Sequence, residues 1–356
     1  MILRTKKRQS RDISIGNIKL GGAHKIAIQT MLQESLSDVS GCIRKIRELE
    51  SYGCDLVRIA IKASSEIANI KEIKKEISIP VIGDVQFNYK HALLAITEGF
   101  DGIRINPGYI ADREKAAQII DKAGEKNCVL RIGFNSGSLP KVIFEKTDNN
   151  FSREELIIKE AETLINYFEK KDFYNFKLSL KSTSVLETIS LNRKISEITR
   201  VPLHLGVTEA GPLLTSSVRS SIAFSNLLLD GIGDTIRVSI TGDPVKEVEV
   251  AKEILRSIGL YDRGVTIISC PTCSRAALNL TDIVDFISLE TGKINKKMKI
   301  AIMGCSVNGP GEAKEADFGI AGVSPETFSF FKKGERVANY ARKEAIDKLL
   351  TEIQNY

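Results

Sequence analysis

The chain has 356 residues, of which 42% are hydrophobic and 27% are charged, and its formal net charge is +6. This profile is typical of a globular protein with a sizeable core, and no apolar run is long enough to span a membrane. The basic N-terminus lacks the apolar stretch of a secretion signal, so we expect a cytoplasmic protein. Aromatic residues make up only 6% and do not alternate with basic ones, which argues against nucleic-acid binding. The mild positive charge suits an anionic small substrate or an acidic protein partner.

The first elements in chain order are a short polar hairpin and then a repeated unit. Residues 10–22 have turn signals at Gly16-Asn17 and Gly21-Gly22, which predict two short strands. After them, an apolar strand, a turn and an amphipathic helix with a period near 3.6 residues recur along the chain. The predicted strands cover residues 25–31, 54–61, 80–87, 102–107, 129–135, 175–181, 202–208 and 234–241.

These strand–helix units predict an α/β fold, a (β/α)8 TIM barrel that binds the substrate, over residues 1–260. An open doubly wound sheet is the alternative, but such sheets seldom contain so many unbroken units. The longest connection, residues 136–150, is typical of a lid at the catalytic end of a barrel. Residues 261–356 predict a small α+β domain, with strands at 265–269, 297–303, 317–321 and 327–332 and helices at 276–290 and 339–354.

Polar and charged side chains occupy one parity of the predicted strands, whereas the other parity is Ile, Val, Leu and Phe. Because side chains alternate along a strand, we expect the polar set to point into the barrel. Barrel interiors are normally filled by branched apolar residues, and unpaired buried cations are costly. The inward set includes Arg58, Asp84, Arg104, Arg131, Asn135, Lys177, Lys181, His204, Arg237 and Ser239.

This cation set predicts a pocket for an anionic ligand. Asp84 and Glu209 are the only acidic residues near the strand ends, so we expect that the positive charges do not cancel internally. Arg pairs bidentately with phosphate, which favours a ligand with at least two phosphates. A salt bridge to a loop carboxylate is the alternative for any single Arg, but it does not account for the whole set. Glu209, directly after the seventh strand, is the candidate general acid or base.

A second signal follows the barrel: Cys270-Pro-Thr-Cys273, then Cys305, then Glu312 at the end of Asn-Gly-Pro-Gly-Glu. The neighbouring glycines and prolines let the backbone approach a bulky inorganic group. Three Cys and a carboxylate fit an iron–sulfur cluster with one exchangeable iron. A redox dithiol has no use for Cys305, and structural zinc prefers four Cys or His ligands. A zinc clip, or two buried thiols with a third by chance, are the alternatives.

The two signals together predict reductive chemistry on a small phosphorylated metabolite. The pocket would bind and orient the substrate, and the metal group would carry electrons and act as a Lewis acid. The other cysteines stand singly in apolar segments and are predicted to be core thiols: Cys42, Cys54 and Cys128.

Several longer segments resemble one known family. They are Leu-Val-Arg58-Ile, Gly-Ile-Arg104-Ile-Asn-Pro-Gly, Leu-Arg131-Ile-Gly-Phe-Asn135-Ser-Gly-Ser138-Leu, Pro-Leu-His204-Leu-Gly-Val-Thr-Glu209-Ala-Gly, Gly-Ile-Gly-Asp234-Thr-Ile-Arg237-Val-Ser239 and the cysteine set. Over essentially its whole length the chain resembles bacterial 4-hydroxy-3-methylbut-2-enyl diphosphate synthases of the non-mevalonate isoprenoid pathway. One departure is Gly-Asp84-Val-Gln86-Phe-Asn88, where the family usually has Asp-Ile-His-Phe-Asp, so Gln86 and Asn88 keep the polarity but lose a His and a carboxylate.

The resemblance implies a [4Fe–4S] cluster held by Cys270, Cys273, Cys305 and Glu312, with Glu209 and Glu312 as catalytic residues. It implies the substrate 2-C-methyl-D-erythritol 2,4-cyclodiphosphate, whose ring opens while a hydroxyl leaves as water. The electrons would come one at a time from reduced flavodoxin or ferredoxin, and the enzyme would be a homodimer. The implied substrate-binding residues are Arg58, Arg104, Arg131, Asn135, Lys181, His204, Arg237 and Ser239.

Two alternatives to this function stay open. One is a non-redox iron–sulfur dehydratase acting on a small phosphorylated metabolite, and the other is a zinc-stabilised binding module without catalysis. The linker at about 259–264 spans roughly 20 Å when extended, which is shorter than a barrel with its loops. We therefore expect an active site shared between the two subunits of the homodimer. The basic run 293–299 is interpreted as a solvated turn, with a docking patch for the electron donor as the alternative.

Overall fold

The computed structural model of the protein describes residues 6–85, 88–107, 112–135, 151–271, 273, 280–305 and 313–356. The chain divides into two compact units, Met1–Tyr261 and Asp262–Tyr356. Each unit has its own sheet and its own cluster of buried apolar side chains. In the described residues, no helix combines the length and the apolar character needed to cross a membrane.

The predicted N-terminal hairpin is confirmed. Strands β1 (Ile13–Ile15) and β2 (Ile18–Leu20) pair antiparallel around a turn in which Gly16 has φ of 53°, a conformation that favours glycine. The hairpin's buried apolar side chains pack against inward residues of the barrel strands in one cluster. It therefore covers one end of the barrel.

The first unit is the predicted TIM barrel, which is confirmed. Its strands are β3 (Ala27–Met31), β4 (Leu56–Ala60), β5 (Val81–Asp84), β6 (Gly102–Ile105), β7 (Val129–Asn135), β8 (Phe176–Lys181), β9 (His204–Leu205) and β10 (Thr235–Ile236). They form one eight-stranded sheet in the order β8-β7-β6-β5-β4-β3-β10-β9, and the paired neighbours are parallel. A single parallel bridge between Leu178 and Leu203 joins β8 to β9 and closes the circuit.

Amphipathic helices surround the barrel, and each buries one stripe of apolar side chains against the strands. A polar side chain at the N-terminal cap accepts a backbone N–H in most of them, which stabilises a helix by about 1 kcal/mol. The helices are α1 (Val39–Ser51), α2 (Ile70–Lys75), α3 (Tyr89–Glu98), α4 (Arg113–Glu125), α5 (Arg153–Lys170), α6 (Val185–Ile198), α7 (Leu213–Leu229) and α8 (Pro244–Ser257).

The last two barrel strands are much shorter than the predicted ranges 202–208 and 234–241. Beyond Leu205 and Ile236 the two segments run side by side. Among the described residues they exchange only isolated hydrogen bonds, such as that from the Arg237 N–H to Leu205 O. The N–H of Ile240 donates to a helix carboxylate, Glu247, instead of a neighbouring strand. At this position a side-chain acceptor therefore takes the place of a strand neighbour.

The second unit is a mixed sheet with helices packed against it. Its elements are β11 (Val265–Ser269), α9 (Leu280–Thr291), β12 (Met298–Met303), β13 (Phe318–Ser324), β14 (Thr327–Lys332), β15 (Glu335–Ala341) and α10 (Arg342–Asn355). Strands β11, β12 and β13 are parallel, and β13, β14 and β15 are antiparallel. The predicted C-terminal helix, 339–354, is confirmed but begins at Arg342, because 335–341 forms a largely exposed edge strand.

Candidate active site

A cavity of about 140 Å³ lies at the C-terminal ends of the barrel strands. Asp84, Asn135 and Lys181 are the last residues of β5, β7 and β8, so the cavity occupies the end where barrel enzymes carry their active sites. Of the predicted substrate-binding residues, His204 alone is outside its wall. The described wall is entirely polar or charged: Arg58, Asp84, Arg104, Arg131, Asn135, Ser179, Lys181, Thr208, Arg237 and Ser239.

Asp84 lies between two of the arginines. Its Oδ1 accepts a hydrogen bond from Arg104 Nη1 at 3.3 Å, and its Oδ2 lies 3.6 Å from Arg58 Nε. Burial acts to raise the pKa of Asp84, but Arg58, Arg104 and Arg131 outweigh it and the pKa is lowered. Asp84 is therefore a carboxylate that holds guanidinium groups in place.

A second buried carboxylate, Glu247 on α8, belongs to the same constellation. It is 3% exposed and accepts from Arg237 Nη2 at 2.8 Å and from Arg237 Nε at 3.2 Å. It also accepts from Thr30 Oγ1 at 2.6 Å and from the Ile240 N–H at 3.0 Å. The prediction that Asp84 and Glu209 are the only acidic residues near the strand ends is therefore wrong, because a helix carboxylate reaches in and neutralises Arg237.

The remaining cations are not neutralised in this way. Arg131 is 2% exposed and Lys177 is 1% exposed, and in the described part of the chain no acceptor reaches Arg131 Nε, Arg131 Nη1 or Lys177 Nζ. Burial, with Arg58 and Arg104 nearby, lowers the pKa of Arg131 well below its ordinary value. Burial, with Arg131 nearby, likewise lowers the pKa values of Lys177 and Lys181 well below 10.5.

An arginine does not lose its proton inside a protein, so the lowered pKa of Arg131 reflects the electrostatic cost of keeping that cation buried. Arg58 shares this cost, since burial and the neighbouring cations lower its pKa to about 10 despite Asp84. A bound polyanion would relieve the repulsion, and each charge-assisted hydrogen bond contributes about 1.5–3 kcal/mol. The cavity is therefore suited to a ligand with several negatively charged oxygens.

Two predicted site residues lie away from the cavity wall. His204 is fully buried behind Lys181, with its Nε2 3.2 Å from Lys181 Nζ. Glu209 is exposed in the turn after β9 and has φ of 51°. A non-glycine residue in this left-handed conformation carries roughly 1 kcal/mol of strain. Strain of this kind often accompanies function, and the catalytic role of Glu209 stays a prediction.

The cysteine motif of the second unit is built at the ends of two neighbouring parallel strands. Cys270 follows β11 and Cys305 follows β12, and the Gly304 N–H donates to Cys270 Sγ at 3.2 Å. Cys273 is exposed, and within the described residues none of the three cysteines forms a disulfide. Over the described ranges, no three His, Cys, Asp or Glu side chains are arranged as a metal site. The donor chemistry nevertheless fits an iron–sulfur group, because backbone N–H donors beside thiol sulfur are typical of such sites.

Several predictions fall on residues outside the described ranges. Glu312, the predicted fourth ligand, is among them, as are Gln86 and the predicted lid 136–150. Asn88 is described, and its side chain accepts the Lys90 N–H at 3.0 Å and caps α3. At this position the amide therefore has a structural role at a helix N-terminus.

The three remaining cysteines are core thiols, as predicted. All three are free and buried. Burial raises the pKa of Cys42 to about 11 and that of Cys54 to about 12, and it raises the pKa of Cys128 further. Thiols with such raised pKa values are poor nucleophiles and poor metal ligands.

Fold and site together define a TIM-barrel protein with a cationic pocket at its catalytic end, followed by a separate α+β unit that carries a three-cysteine motif. Family profiles described as the GcpE TIM-barrel domain and the GcpE protein C-terminal domain match residues 10–252 and 266–355. The chain belongs to the GcpE family. The resemblance inferred from the sequence motifs is confirmed.

Relatives match over nearly the full length. A protein of Thermodesulfovibrio yellowstonii named 4-hydroxy-3-methylbut-2-en-1-yl diphosphate synthase (flavodoxin) is 43% identical, covering 98% of this chain and 99% of its own. A protein of the same name from Caldicellulosiruptor saccharolyticus is 45% identical, covering 97% of this chain and 98% of its own. Among solved structures, dihydropteroate synthase from Stenotrophomonas maltophilia is 13% identical with a TM-score of 0.50, covering 70% of this chain and 98% of its own. At that identity the likeness concerns the fold alone.

Proposed function

We propose that this chain is a 4-hydroxy-3-methylbut-2-en-1-yl diphosphate synthase. It would open 2-C-methyl-D-erythritol 2,4-cyclodiphosphate and remove a hydroxyl to give the allylic diphosphate, as a step of isoprenoid biosynthesis. The observation that carries the proposal is the pocket: buried cations to which the described residues supply no carboxylate partner face a cavity in a chain that belongs to the GcpE family. A diphosphate supplies the missing negative charge.

The diphosphate is proposed to bind where the cations are least compensated. Arg131 and Lys181 would donate directly to its oxygens, and Arg58 and Arg104 would approach it from their places beside Asp84. Asn135 adds an amide at the end of β7. The Arg237 Nη1 donates to Ser239 Oγ at 3.0 Å, so this pair is held ready to contact the organic part of the substrate. Fixed geometry of this kind lowers the entropic cost of orienting a bound substrate.

The reaction breaks the carbon–oxygen bond that closes the ring and removes the neighbouring hydroxyl as water. Balance requires two electrons, and the departing hydroxyl must take up a proton. Glu209, in the turn after β9, is our proposed proton donor to that hydroxyl, because it is the carboxyl nearest in sequence to the strand end at Thr208, which lines the cavity. Asp84 has a lowered pKa and is less suited to donate a proton.

The cofactor is proposed to be a [4Fe–4S] cluster held by Cys270, Cys273, Cys305 and Glu312. When bound, such a cluster supplies electrons singly and offers one iron to a substrate oxygen. Glu312 is proposed as the exchangeable ligand, since a carboxylate binds iron more weakly than a thiolate does.

The electron donor is proposed to be reduced flavodoxin or ferredoxin, in a cytoplasmic setting. The relatives' names include flavodoxin. Such donors are acidic, and the basic run 293–299 in the second unit offers a surface of opposite charge. Replacing Lys293 and Lys297 by Glu is expected to slow turnover with flavodoxin but not with a small chemical reductant.

A homodimer with an active site shared between subunits is also proposed. An exposed apolar row on α7 supports self-association: Leu214, Val218 and Ile222 are 77%, 51% and 47% exposed and lie on one helix face. The test uses mixed dimers of Cys305→Ser and Glu209→Gln subunits, each of which is expected to be inactive alone. Activity in the isolated heterodimer supports a shared site, and an inactive heterodimer contradicts it.

The decisive assay incubates anaerobically purified protein with the cyclodiphosphate, with and without dithionite. Formation of the allylic diphosphate only with dithionite supports the reductase. Turnover without any reductant would favour the iron–sulfur dehydratase instead. No turnover together with stoichiometric zinc would favour the binding module, and the visible spectrum separates zinc from iron in the same sample.

A further inference from the structure

His204 has a partner on both ring nitrogens and is fully buried in β9. Its Nε2 lies 3.2 Å from Lys181 Nζ, and its Nδ1 lies 2.8 Å from the hydroxyl oxygen of Thr235 on β10. Neither His204 nor Thr235 belongs to the described cavity wall, whereas Lys181 does. The three side chains therefore form a line that ends at the cavity.

The charges around this line decide which group donates to which. Burial and then Lys181, Arg131 and Lys177 lower the pKa of His204 well below 6.5, so the imidazole is neutral. In its ammonium form, the form that binds an anion, Lys181 can only donate hydrogen bonds, so His204 Nε2 accepts from it. The single ring proton is then on Nδ1 and is donated to Thr235 Oγ1.

Gly206, which has no side chain, leaves space for the Lys181 ammonium group. A Cβ at Gly206 would lie 2.4 Å from Lys181 Nζ and 2.8 Å from its Cε. A side chain at position 206 would therefore push the ammonium away from His204. Strand β9 therefore supplies a hydrogen-bond acceptor for Lys181 at His204, and Gly206, just after the strand, leaves room for the Lys181 side chain.

We infer that Thr235 and His204 are positioning residues that aim the Lys181 ammonium into the cavity, and that His204 does not itself contact substrate. The inference deepens the proposed function and rests on it, since the ammonium is aimed at the site of the diphosphate. Lys181 has a long flexible side chain, and four guanidiniums repel it. A neutral acceptor held in one tautomer gives it a defined direction, which pre-organises the pocket for an anion.

A matched pair of substitutions tests the role of the Thr235 hydroxyl in positioning Lys181. Thr235→Val keeps the shape and removes the acceptor, whereas Thr235→Ser keeps the acceptor. With inorganic pyrophosphate as the probe in calorimetry, we expect Thr235→Val to weaken binding about three- to tenfold and Thr235→Ser to stay within about twofold of the wild type. Equal loss in both variants, or no loss in either, would overturn the inference.

A double-mutant cycle separates positioning from a general structural effect. In a Lys181→Met background, Thr235→Val should have no further effect on pyrophosphate binding, because the group that it positions is gone. An undiminished effect in that background would mean that Thr235 acts on the fold and not through Lys181.

The histidine itself has a spectroscopic signature that does not depend on turnover. The chain has 3 histidines, so the ring nitrogens of His204 can be assigned by comparison with the His204→Gln spectrum. We expect a neutral ring protonated on Nδ1, and a ring protonated on Nε2 would overturn the assignment. If wild-type protein does not bind pyrophosphate, the proposed diphosphate function is contradicted, and these spectra still decide the positioning role.

Discussion

The two ends of the barrel interior have opposite chemistry, although the same strands supply both. At the end covered by the β1–β2 hairpin, the inward side chains are apolar and pack against Ile15 and Leu20. One inward position further along, they are charged and line the cavity. The pairs are Leu56 and Arg58 on β4, Ile82 and Asp84 on β5, and Val129 and Arg131 on β7.

This difference separates what stabilises the barrel from what binds a ligand. Each large apolar side chain buried at the hairpin end contributes about 1.5–3 kcal/mol to folding. The cations at the other end oppose folding, since they are buried without full compensation. Substitutions at the two ends should therefore affect stability and binding separately, and four predictions test that separation.

The largest effect is expected for Arg131→Met. The substitution removes two or more charge-assisted hydrogen bonds to a diphosphate, so pyrophosphate affinity should fall about a thousandfold. The free energy of unfolding should stay the same or rise, because an unpaired buried cation is replaced by an apolar side chain. Calorimetric titration and urea unfolding measure the two quantities.

A matched control for Arg131→Met is Arg113→Met. Arg113 is an exposed arginine on α4 that stacks on Tyr167, with its guanidinium 4.3 Å from the ring centre. Its loss should leave pyrophosphate binding unchanged. A large drop in the stability of Arg131→Met would show that this arginine supports the fold. It would contradict the separation of stability from binding between the two ends of the barrel.

The next effect is expected at the hairpin end. Leu56 is fully buried, and Leu56→Ala should lower the free energy of unfolding by about 3 kcal/mol through lost burial and a cavity. Pyrophosphate affinity measured well below the melting temperature should not change. Loss of affinity in step with loss of stability would mean that the two ends act as one unit.

A smaller effect concerns pH. The pKa of Lys177 is lowered in the folded protein by burial first and by Arg131 second, with Asp234 opposing them. The unfolded chain then binds the proton more readily, so stability rises with pH between the lowered folded pKa and the ordinary value of 10.5. Each such group contributes a slope of up to about 1.4 kcal/mol per pH unit.

Lys177→Met should remove this contribution. The difference in unfolding free energy, wild type minus variant, should increase as pH rises through the lowered folded pKa towards 10.5 and stay level below that folded pKa. Taking the difference cancels the other titrating groups, including the core thiols. A flat difference across the whole range would show that Lys177 keeps its ordinary pKa.

The smallest effect is expected for Gly206→Ala. The added methyl group meets the flexible end of Lys181 and, at 3.1 Å, the backbone oxygen of Arg237, so a small loss of stability is expected. The displaced ammonium should weaken pyrophosphate binding about threefold, the loss of part of one hydrogen bond. Gly124→Ala on α4 is the control, because its new methyl group meets only one atom, at 4.0 Å, and both quantities should be unaffected or stability should rise slightly.

The inward position of the cations could be predicted from the sequence because alternation along a strand is a local rule. The lengths of β9 and β10 could not, since Ile240 gives its N–H to Glu247 and not to a neighbouring strand. A signal for Glu247 did exist: it shares a helix face with Ala251 and Ile254, which are buried. A carboxylate on such a face needs a buried partner, but the pattern does not say which one.

The sequence by itself determined the barrel, the second unit with its cysteine motif, and the family, because all three depend on local periodicity and on residues close together in the chain. Only the tertiary structure decided which cations are neutralised and which are left for a ligand. Glu247 meets Thr30 across 217 positions of the chain, and His204 meets Thr235 across 31. Electrostatic compensation depends on distances in space, and the closure of the barrel sets those distances.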